Sequence, residues 1–173
     1  GAINPMVAIM ALEAVKALAQ SLPRVIANPK DIEARSQALY GASLAGGSLG
    51  TGTTSLHHRL CHTFGGTFNT PHAQTHTILL PHCVAYNAGA TPDGTQRLAE
   101  ALGVNDAAQG IFALAKELGA PTALMEIGVA ESDLDKAAAI ATENPLNNPE
   151  PVSSKRVRAL LQNAWNGTAP QPV

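Results

Sequence analysis

All six histidines of the chain lie between His57 and His82, and the rest of the sequence has none. Imidazole has an unperturbed pKa closer to neutrality than any other side chain, and in its neutral form it is a common metal ligand. A dense group of histidines therefore indicates proton transfer, metal binding or recognition of an anion. We expect the functional site in this stretch.

The spacing separates two kinds of histidine. His58 and His62 are four residues apart, so on a helix both rings leave the same face, one turn apart. Gly65 and Gly66 follow and predict a sharp change of direction. We interpret His58 and His62, with His72 beyond the bend, as one functional set.

His72 follows a helix-start signal. Thr70 and Pro71 read as a hydroxyl N-cap and a proline at the first helical position. His72 would then lie in the first turn of a new helix, beside unpaired backbone amides that favour an anionic group. We interpret His57, His76 and His82, each taken singly, as structural residues.

The run GTTSLHHRLCHTFGGTFNTPHAQTHTILLPHCVAYN resembles the signature of the iron-containing alcohol dehydrogenase superfamily. Its LHHRLCH and FNTPHAQTH segments most closely resemble the maleylacetate reductase branch of that superfamily. The similarity extends to INPMVAIMALEAVKALAQSLP near the start and to PTALMEIGVAESDLDKAAAIATENPLNNPEPVS near the end. The resemblance implies that residues 1–173 are a single all-α domain of the dehydroquinate synthase-like type, the carboxy-terminal domain of such an enzyme. The amino-terminal nucleotide-binding domain would be absent from this chain.

The activity implied by this resemblance is reduction of maleylacetate to 3-oxoadipate during the degradation of aromatic compounds. The cofactor would be NADH or NADPH, bound mainly by the absent domain. The chain alone would then fold but remain inactive. Its implied partners are a small dicarboxylate substrate and the missing nucleotide-binding domain, and a homodimer is left open.

The resemblance also implies roles for individual residues. His58 and His72 stand where metal-using relatives place two of their metal ligands, and His62 stands where the family has a further active-site histidine. Maleylacetate reductases are generally regarded as working without the metal, so the resemblance makes His62 and His72 catalytic and assigns substrate carboxylates to His58 and Arg59. Iron or zinc would be bound by His58 and His72 only in a metal-dependent member.

Two alternatives remain open. One is the same domain of a metal-dependent alcohol dehydrogenase. The other is a stand-alone helical binding module without catalysis. Metal analysis separates the first from a maleylacetate reductase, and a nucleotide-binding domain encoded immediately upstream would exclude the second.

Composition agrees with a helical domain. The chain has 173 residues, 45% hydrophobic and only 3% aromatic, and no segment alternates strictly between polar and apolar residues. We therefore predict an all-α fold of about seven or eight helices. A net charge of −2 without a basic block argues against nucleic-acid binding. The glycine-rich run GASLAGGSLGTGTT lacks the spacing of a nucleotide-binding loop.

The apolar runs are interrupted by charge or glycine well short of the roughly 18 residues that a membrane span needs. Cys61 and Cys83 form no CxxC pair, and no secretory segment precedes them. We expect both to be buried thiols of a cytoplasmic protein.

Helix signals divide the chain. The first helix should run from Asn4-Pro5 to about Ser21 and end at Pro23. A second should start after Asp31 and, through its small residues, lie as a central helix against the histidine helix. Pro81 should kink or break the helix that starts near His72. Further helices are predicted at residues 95–102, 106–118, 131–143 and 153–166, followed by a frayed tail.

Overall fold

The computed structural model describes residues 4–173, and its regular secondary structure is helical, with no strand among these residues. It contains eight α-helices and three short 3-10 turns. The all-α prediction is therefore confirmed. The α-helices are α1 (Pro5–Ala27), α2 (Ile32–Thr51), α3 (Leu56–Phe68), α4 (His72–Asn87), α5 (Pro92–Leu102), α6 (Ala107–Glu117), α7 (Leu134–Thr142) and α8 (Ser154–Asn166).

The main hydrophobic core lies between α3, α4, α7 and α8. On α3, Leu56, Leu60 and Phe64 recur every four residues and are fully buried. Burial of each such side chain contributes about 1.5–3 kcal/mol. This face fixes the rotation of α3, and with it the direction in which the intervening histidines leave the helix. The other helices of the core contribute Ile78, Leu79, Leu134, Ala137, Ala138, Val157, Leu160 and Leu161.

Helices α1 and α2 pack against each other as an antiparallel pair. At Gly41 a β-carbon would lie 2.9 Å from Leu18 Cγ and 3.2 Å from the Ala14 carbonyl oxygen, so the glycine is required for this close approach. The prediction that α2 is a central helix against the histidine helix is wrong, because α2 packs against α1, where Gly41 and Gly47 approach it closely. Leu39, on the outer face of α2, is 71% exposed.

Neither proline signal ends a helix. Pro23 lies inside α1, which continues to Ala27, and Pro81 lies inside α4, which runs unbroken to Asn87. Each proline removes one backbone hydrogen bond. Pro81 is itself buried, and tertiary packing on both sides of it outweighs that loss.

Three predicted helix starts are confirmed, each with a polar side chain that accepts a hydrogen bond from the first turn. Asp31 Oδ1 accepts from the Ala34 amide at 3.0 Å, and Asp106 Oδ1 accepts from the Gln109 amide at 2.9 Å. Ser153 caps α8 in the same way. The helix predicted at residues 131–143 begins instead as a 3-10 turn, and its α-helical part starts at Leu134.

The carboxy-terminal tail is docked, so the prediction of a frayed tail is wrong. The Gln109 side-chain amide donates to the Pro170 carbonyl at 2.6 Å, and Arg156 Nε donates to the Val173 carbonyl at 2.9 Å. Pro170 is buried. Long-range side-chain donors on α6 and α8 therefore hold a segment whose local composition favours disorder.

One helix, α1, passes a length and composition test for a membrane span, with a mean hydropathy of 1.3 over its best window. Glu13 and Lys16 interrupt its apolar residues, as expected from the sequence. The length and composition of α1 do not by themselves indicate a membrane span, because core helices of soluble proteins and signal sequences pass the same test. Lys16 lies near the middle of α1, where a lysine costs about 2.5–3.5 kcal/mol on insertion scales.

Candidate functional site

Helix α3 carries three of the clustered histidines on the side away from its buried leucines. Its start is held by Ser55, whose Oγ lies 2.7 Å from the Asn147 carbonyl oxygen and 2.8 Å from Asn148 Oδ1. A loop more than 90 residues away in the sequence therefore fixes the first turn of α3.

The predicted bend at Gly65 and Gly66 is wrong. Both glycines lie inside α3, and the chain turns only at Asn69, which adopts a left-handed conformation with φ of 53°. Phe64 and Phe68 flank the glycines with ring centroids 5.6 Å apart, and both pack into the core. Their burial maintains the helix through two residues that disfavour it.

Helix α4 begins at His72, as predicted, but without the predicted hydroxyl cap. Pro71 occupies the N-cap position, and no side chain caps the first turn. Thr70 instead accepts a hydrogen bond from the Thr75 hydroxyl at 2.8 Å. The first amides of α4 are thus left uncapped by any side chain, and they lie beside the His72 ring at the positive end of the helix dipole.

The two helices bring five of the six histidine rings into one cluster, with His76 at its centre. The His76 ring centroid lies 4.8 Å from that of His57, 5.1 Å from that of His58 and 4.2 Å from that of His72. His58 lies 6.2 Å from His62. We call His57, His58, His62, His72 and His76 the histidine cluster.

The cluster has an exposed side and a buried side. His62 and His72 are exposed, whereas His57, His58 and His76 are half-buried. Burial, followed by the neighbouring histidines, lowers the pKa of His76 to about 4. Burial also lowers the pKa of His57, and burial with His62 and His72 lowers that of His58. The buried side of the cluster therefore favours neutral imidazole.

His57 and His76 belong to the cluster although each, considered alone, reads as structural. His57 Nε2 lies 3.0 Å from the His76 carbonyl oxygen and so links α3 to α4. His76 Nε2 is buried without a hydrogen-bond partner. The four-residue spacings of His57 to Cys61 and of His72 to His76 were the signal that could have found them.

His82 lies outside the cluster. It is 2% exposed, and its ring centroid is 6.4 Å from that of Phe112 on α6. Burial lowers its pKa to about 4. The structural interpretation of His82 remains a prediction.

Arg59 directly follows His58 and is half-buried. None of the ion pairs found within residues 4–173 involves it. Its guanidinium is therefore not committed to a carboxylate in the described part of the chain, which leaves it available to an anionic ligand.

Cys61 and Cys83 are buried free thiols, as predicted. Burial raises the pKa of Cys61 to about 12 and raises that of Cys83 as well. Neither is an activated nucleophile in this environment.

The residues whose ligand atoms lie close enough to hold a metal ion are not the predicted pair His58 and His72. Within residues 4–173, the one group of three or more histidine, cysteine or acidic residues with ligand atoms all within 4.8 Å is His57, Cys61 and His76. His58 and His72 supply two imidazoles, and no third donor joins them by that criterion. A catalytic zinc usually has three protein ligands, so the described residues do not by themselves fit an ion on His58 and His72.

A separate cleft of about 650 Å³ lies between α5, α6 and the carboxy-terminal tail, and no histidine lines it. Alanine and proline make up half of its lining residues. The predicted site residues His58, His62 and His72 lie instead in the histidine cluster, with His62 and His72 on its exposed side.

Comparison with known proteins identifies relatives along almost the whole chain. Residues 2–165 match the model of the Fe-containing alcohol dehydrogenase family, C-terminal. The maleylacetate reductase of Pseudomonas sp. (strain P51) is 49% identical over 98% of this chain and 48% of its own length. A protein named as an alcohol dehydrogenase from Ralstonia eutropha JMP134 superposes with a TM-score of 0.95 and 50% identity, covering 97% of this chain and 48% of its own. The maleylacetate reductase of Rhizobium sp. strain MTP-10005 superposes with a TM-score of 0.93 and 46% identity, covering 96% of this chain and 47% of its own. The chain spans about half the length of these relatives.

Proposed function

Because the chain belongs to the Fe-containing alcohol dehydrogenase family, whose C-terminal part it matches, we propose that it is the substrate-side half of an NAD(P)H-dependent maleylacetate reductase. The observation that carries this proposal is the histidine cluster, in which α3 and α4 place five imidazoles together with two of them exposed. The maleylacetate reductases among the relatives supply the substrate class.

His62 and His72 are the proposed catalytic residues because they form the exposed side of the cluster. A bound nicotinamide cofactor would supply the hydride for one carbon of the substrate double bond. A protonated imidazole on the exposed side then delivers a proton to the developing enolate. General acid catalysis of this kind accelerates a reaction by about 10²-fold to 10⁴-fold.

His58 and Arg59 are the proposed carboxylate-binding residues. Arg59 is free of ion pairs among the described residues. A guanidinium binds a carboxylate through two parallel hydrogen bonds, and a neutral His58 adds one N–H donor. The uncapped amides at the start of α4 offer a second place for negative charge. A dicarboxylate would bridge the two.

The nucleotide-binding part of the enzyme is the proposed partner of this chain. Most of the exposed large apolar side chains lie on one pair of helices, α1 and α2. Exposed apolar side chains grouped on one pair of helices indicate an interaction site, and the relatives are about twice as long as this chain. The residues concerned are Met6, Ile9, Ile26, Ile32, Leu39, Tyr40 and Leu49.

A metal-dependent alcohol dehydrogenase is the second candidate, favoured by the name of the Ralstonia eutropha relative. In that case, His58 and His72 would be two ligands of an iron or zinc ion, and the remaining ligands would come from outside the described residues. Metal analysis of the full-length enzyme separates the candidates. A stoichiometric ion required for turnover of an alcohol, with no reduction of maleylacetate, would replace our proposal by this one.

The proposal is tested by steady-state kinetics of the full-length enzyme with maleylacetate and NADH. Replacement of His72 by alanine should lower kcat and kcat/KM together by at least about 100-fold, because the lost interaction is made mainly in the transition state. His62→Ala should act in the same direction. A His72→Ala enzyme with nearly normal kcat would contradict the assignment.

His82→Gln is the matched control, since His82 is buried outside the cluster. Its kcat and KM should remain close to those of the unsubstituted enzyme, provided that circular dichroism shows it to be folded. A folded but inactive His82→Gln enzyme would mean that the histidine cluster is not the catalytic centre.

A further inference from the structure

A second set of donor atoms lies on the buried side of the histidine cluster. His57 and Cys61 on α3 and His76 on α4 have ligand atoms all within 4.8 Å of one another. Among them, Cys61 Sγ and His57 Nε2 are 3.5 Å apart. This set shares no residue with the pair His58 and His72.

The separation of these atoms suits a small soft cation. Zinc binds imidazole nitrogen at about 2.0–2.1 Å and thiolate sulfur at about 2.3 Å, so neighbouring ligands around a tetrahedral ion are roughly 3.3–3.6 Å apart. The Cys61 and His57 atoms are already at that separation. His76 is half-buried and would move inward by about 1 Å to complete the set.

One polar atom at this place also lacks a hydrogen-bond partner. His76 Nε2 is buried without any hydrogen bond, and an unpaired buried nitrogen costs roughly 1–3 kcal/mol. His57 Nε2 contacts the His76 carbonyl oxygen at 3.0 Å. If His57 binds an ion through this nitrogen, that contact is exchanged for the metal bond. An ion would therefore satisfy one unpaired nitrogen and replace one hydrogen bond.

The protonation states agree with this geometry. Burial lowers the pKa values of His57 and His76, which favours the neutral imidazole that binds a metal ion. The buried Cys61 thiol has a raised pKa and becomes a thiolate only beside a cation.

We propose that His57, Cys61 and His76 form a binding site for a soft divalent cation such as Zn²⁺, which joins α3 to α4 behind the exposed face of the histidine cluster. Two imidazoles and one thiolate fill three tetrahedral positions, and water fills the fourth. The ion fixes the distance between the two helices that carry the catalytic candidates. The site is independent of the proposed function, because it uses none of His58, His62 and His72.

Cobalt(II) is the probe, because a thiolate ligand gives it a sulfur-to-cobalt charge-transfer band in the near ultraviolet that imidazole ligands do not produce. The reduced chain is freed of metal with a chelator and titrated with Co²⁺. We expect one equivalent to bind with that band and with visible bands of tetrahedral cobalt. Zn²⁺ should displace the cobalt and abolish both.

Variants identify the ligands. Cys61→Ser should abolish the charge-transfer band, and His57→Gln and His76→Gln should each weaken Co²⁺ binding by more than about 100-fold, since even the loss of a supporting outer-shell partner costs 10-fold to 100-fold. His72→Ala and Cys83→Ala are the controls and should retain the band. Circular dichroism checks that each variant is folded.

Three results would overturn the proposal: no binding of Co²⁺, binding without the charge-transfer band, or a band that survives both His57→Gln and His76→Gln. The second result would place the ion on imidazoles alone. If Cys61→Ser does not fold, the two histidine variants still decide the question. None of these readouts depends on turnover, so failure of this site is distinguishable from failure of the proposed function.

Discussion

Arg59 is the residue whose proposed role is most specific to binding. It adjoins His58, and no ion pair within residues 4–173 occupies it. In the full-length enzyme, Arg59→Ala should raise the KM for maleylacetate by about 10-fold to 100-fold with little change in kcat. A hydrogen bond to a charged group contributes about 1.5–3 kcal/mol, and this one is made in ground and transition states alike.

Arg158→Ala is the control for this kinetic experiment, because Arg158 pairs with the exposed Asp135 on the other side of the core. Its KM should be unchanged. A large fall in kcat for Arg59→Ala, with KM unaltered, would instead place Arg59 among the transition-state contacts.

His82 should make stability depend on pH. Its pKa is lowered from 6.5 to about 4 by burial, so the folded protein binds fewer protons than the unfolded chain between these values. The stability contributed by neutral His82 is present above pH 6.5 and is lost as the pH falls towards 4. A shift of this size corresponds to roughly 3 kcal/mol.

Urea unfolding at pH 7.5, 6 and 5 measures this dependence. As the pH is lowered, the free energy of unfolding of the unsubstituted chain should fall more steeply than that of His82→Gln, which has no titrating group at position 82. His57, His58 and His76 remain in both proteins and contribute equally to both curves. Parallel curves would show that His82 is not held neutral by its surroundings.

At the scale of helices, Gly41 controls how closely α2 approaches α1. Gly41→Ala should lower the free energy of unfolding by about 1–3 kcal/mol, because its β-carbon would collide with Leu18 and with the Ala14 carbonyl oxygen. Gly46 on the same helix has no atom within 4 Å of the corresponding position. Gly46→Ala should raise the free energy of unfolding by about 0.5–1 kcal/mol through helix propensity alone.

Chemical denaturation of both variants provides the comparison. If the two substitutions changed stability by the same amount, close packing at Gly41 would not be what joins α1 to α2.

Local signals predicted some helix boundaries and missed others. The predicted ends at residues 102 and 166 are observed, whereas the helix predicted from residue 95 begins at Pro92. The helices predicted to start at Asp31 and Asp106 do so because a carboxylate three residues before an amide suffices for the capping contact. The predicted helix end at Pro23 and the predicted bend at Gly65 and Gly66 were wrong, because tertiary packing outweighs a local helix penalty of about 1–3 kcal/mol per residue. The histidine cluster shows the same limit. The i, i+4 pair on α3 was visible in the sequence, but the central place of His76 depends on how α4 crosses α3.

At the scale of the whole molecule, α1 and α2 expose large apolar side chains to solvent. Ile32 and Leu39 are 73% and 71% exposed. The isolated chain should therefore bind a hydrophobic dye strongly, and the double substitution Ile32→Glu and Leu39→Glu should reduce that binding several-fold while the circular dichroism is unchanged. Dye fluorescence at equal protein concentration provides the measurement.

Met125→Glu is the control, because Met125 is exposed outside α1 and α2. It should leave dye fluorescence nearly unchanged. Equal effects of the two sets of substitutions would show that exposed apolar residues act singly rather than as one surface.

The two glycines inside α3 have a consequence for motion. Gly65 and Gly66 each cost about 1 kcal/mol in a helix relative to alanine, and neither meets another atom within 4 Å that would require a glycine there. The last turn of α3 should therefore open at a lower free energy than its first turns, and its amide hydrogens should exchange earlier with solvent deuterium. His62 lies on the boundary between the two parts. Opening of this turn would change the distance from His62 to His72 while the buried leucines of α3 stay in place.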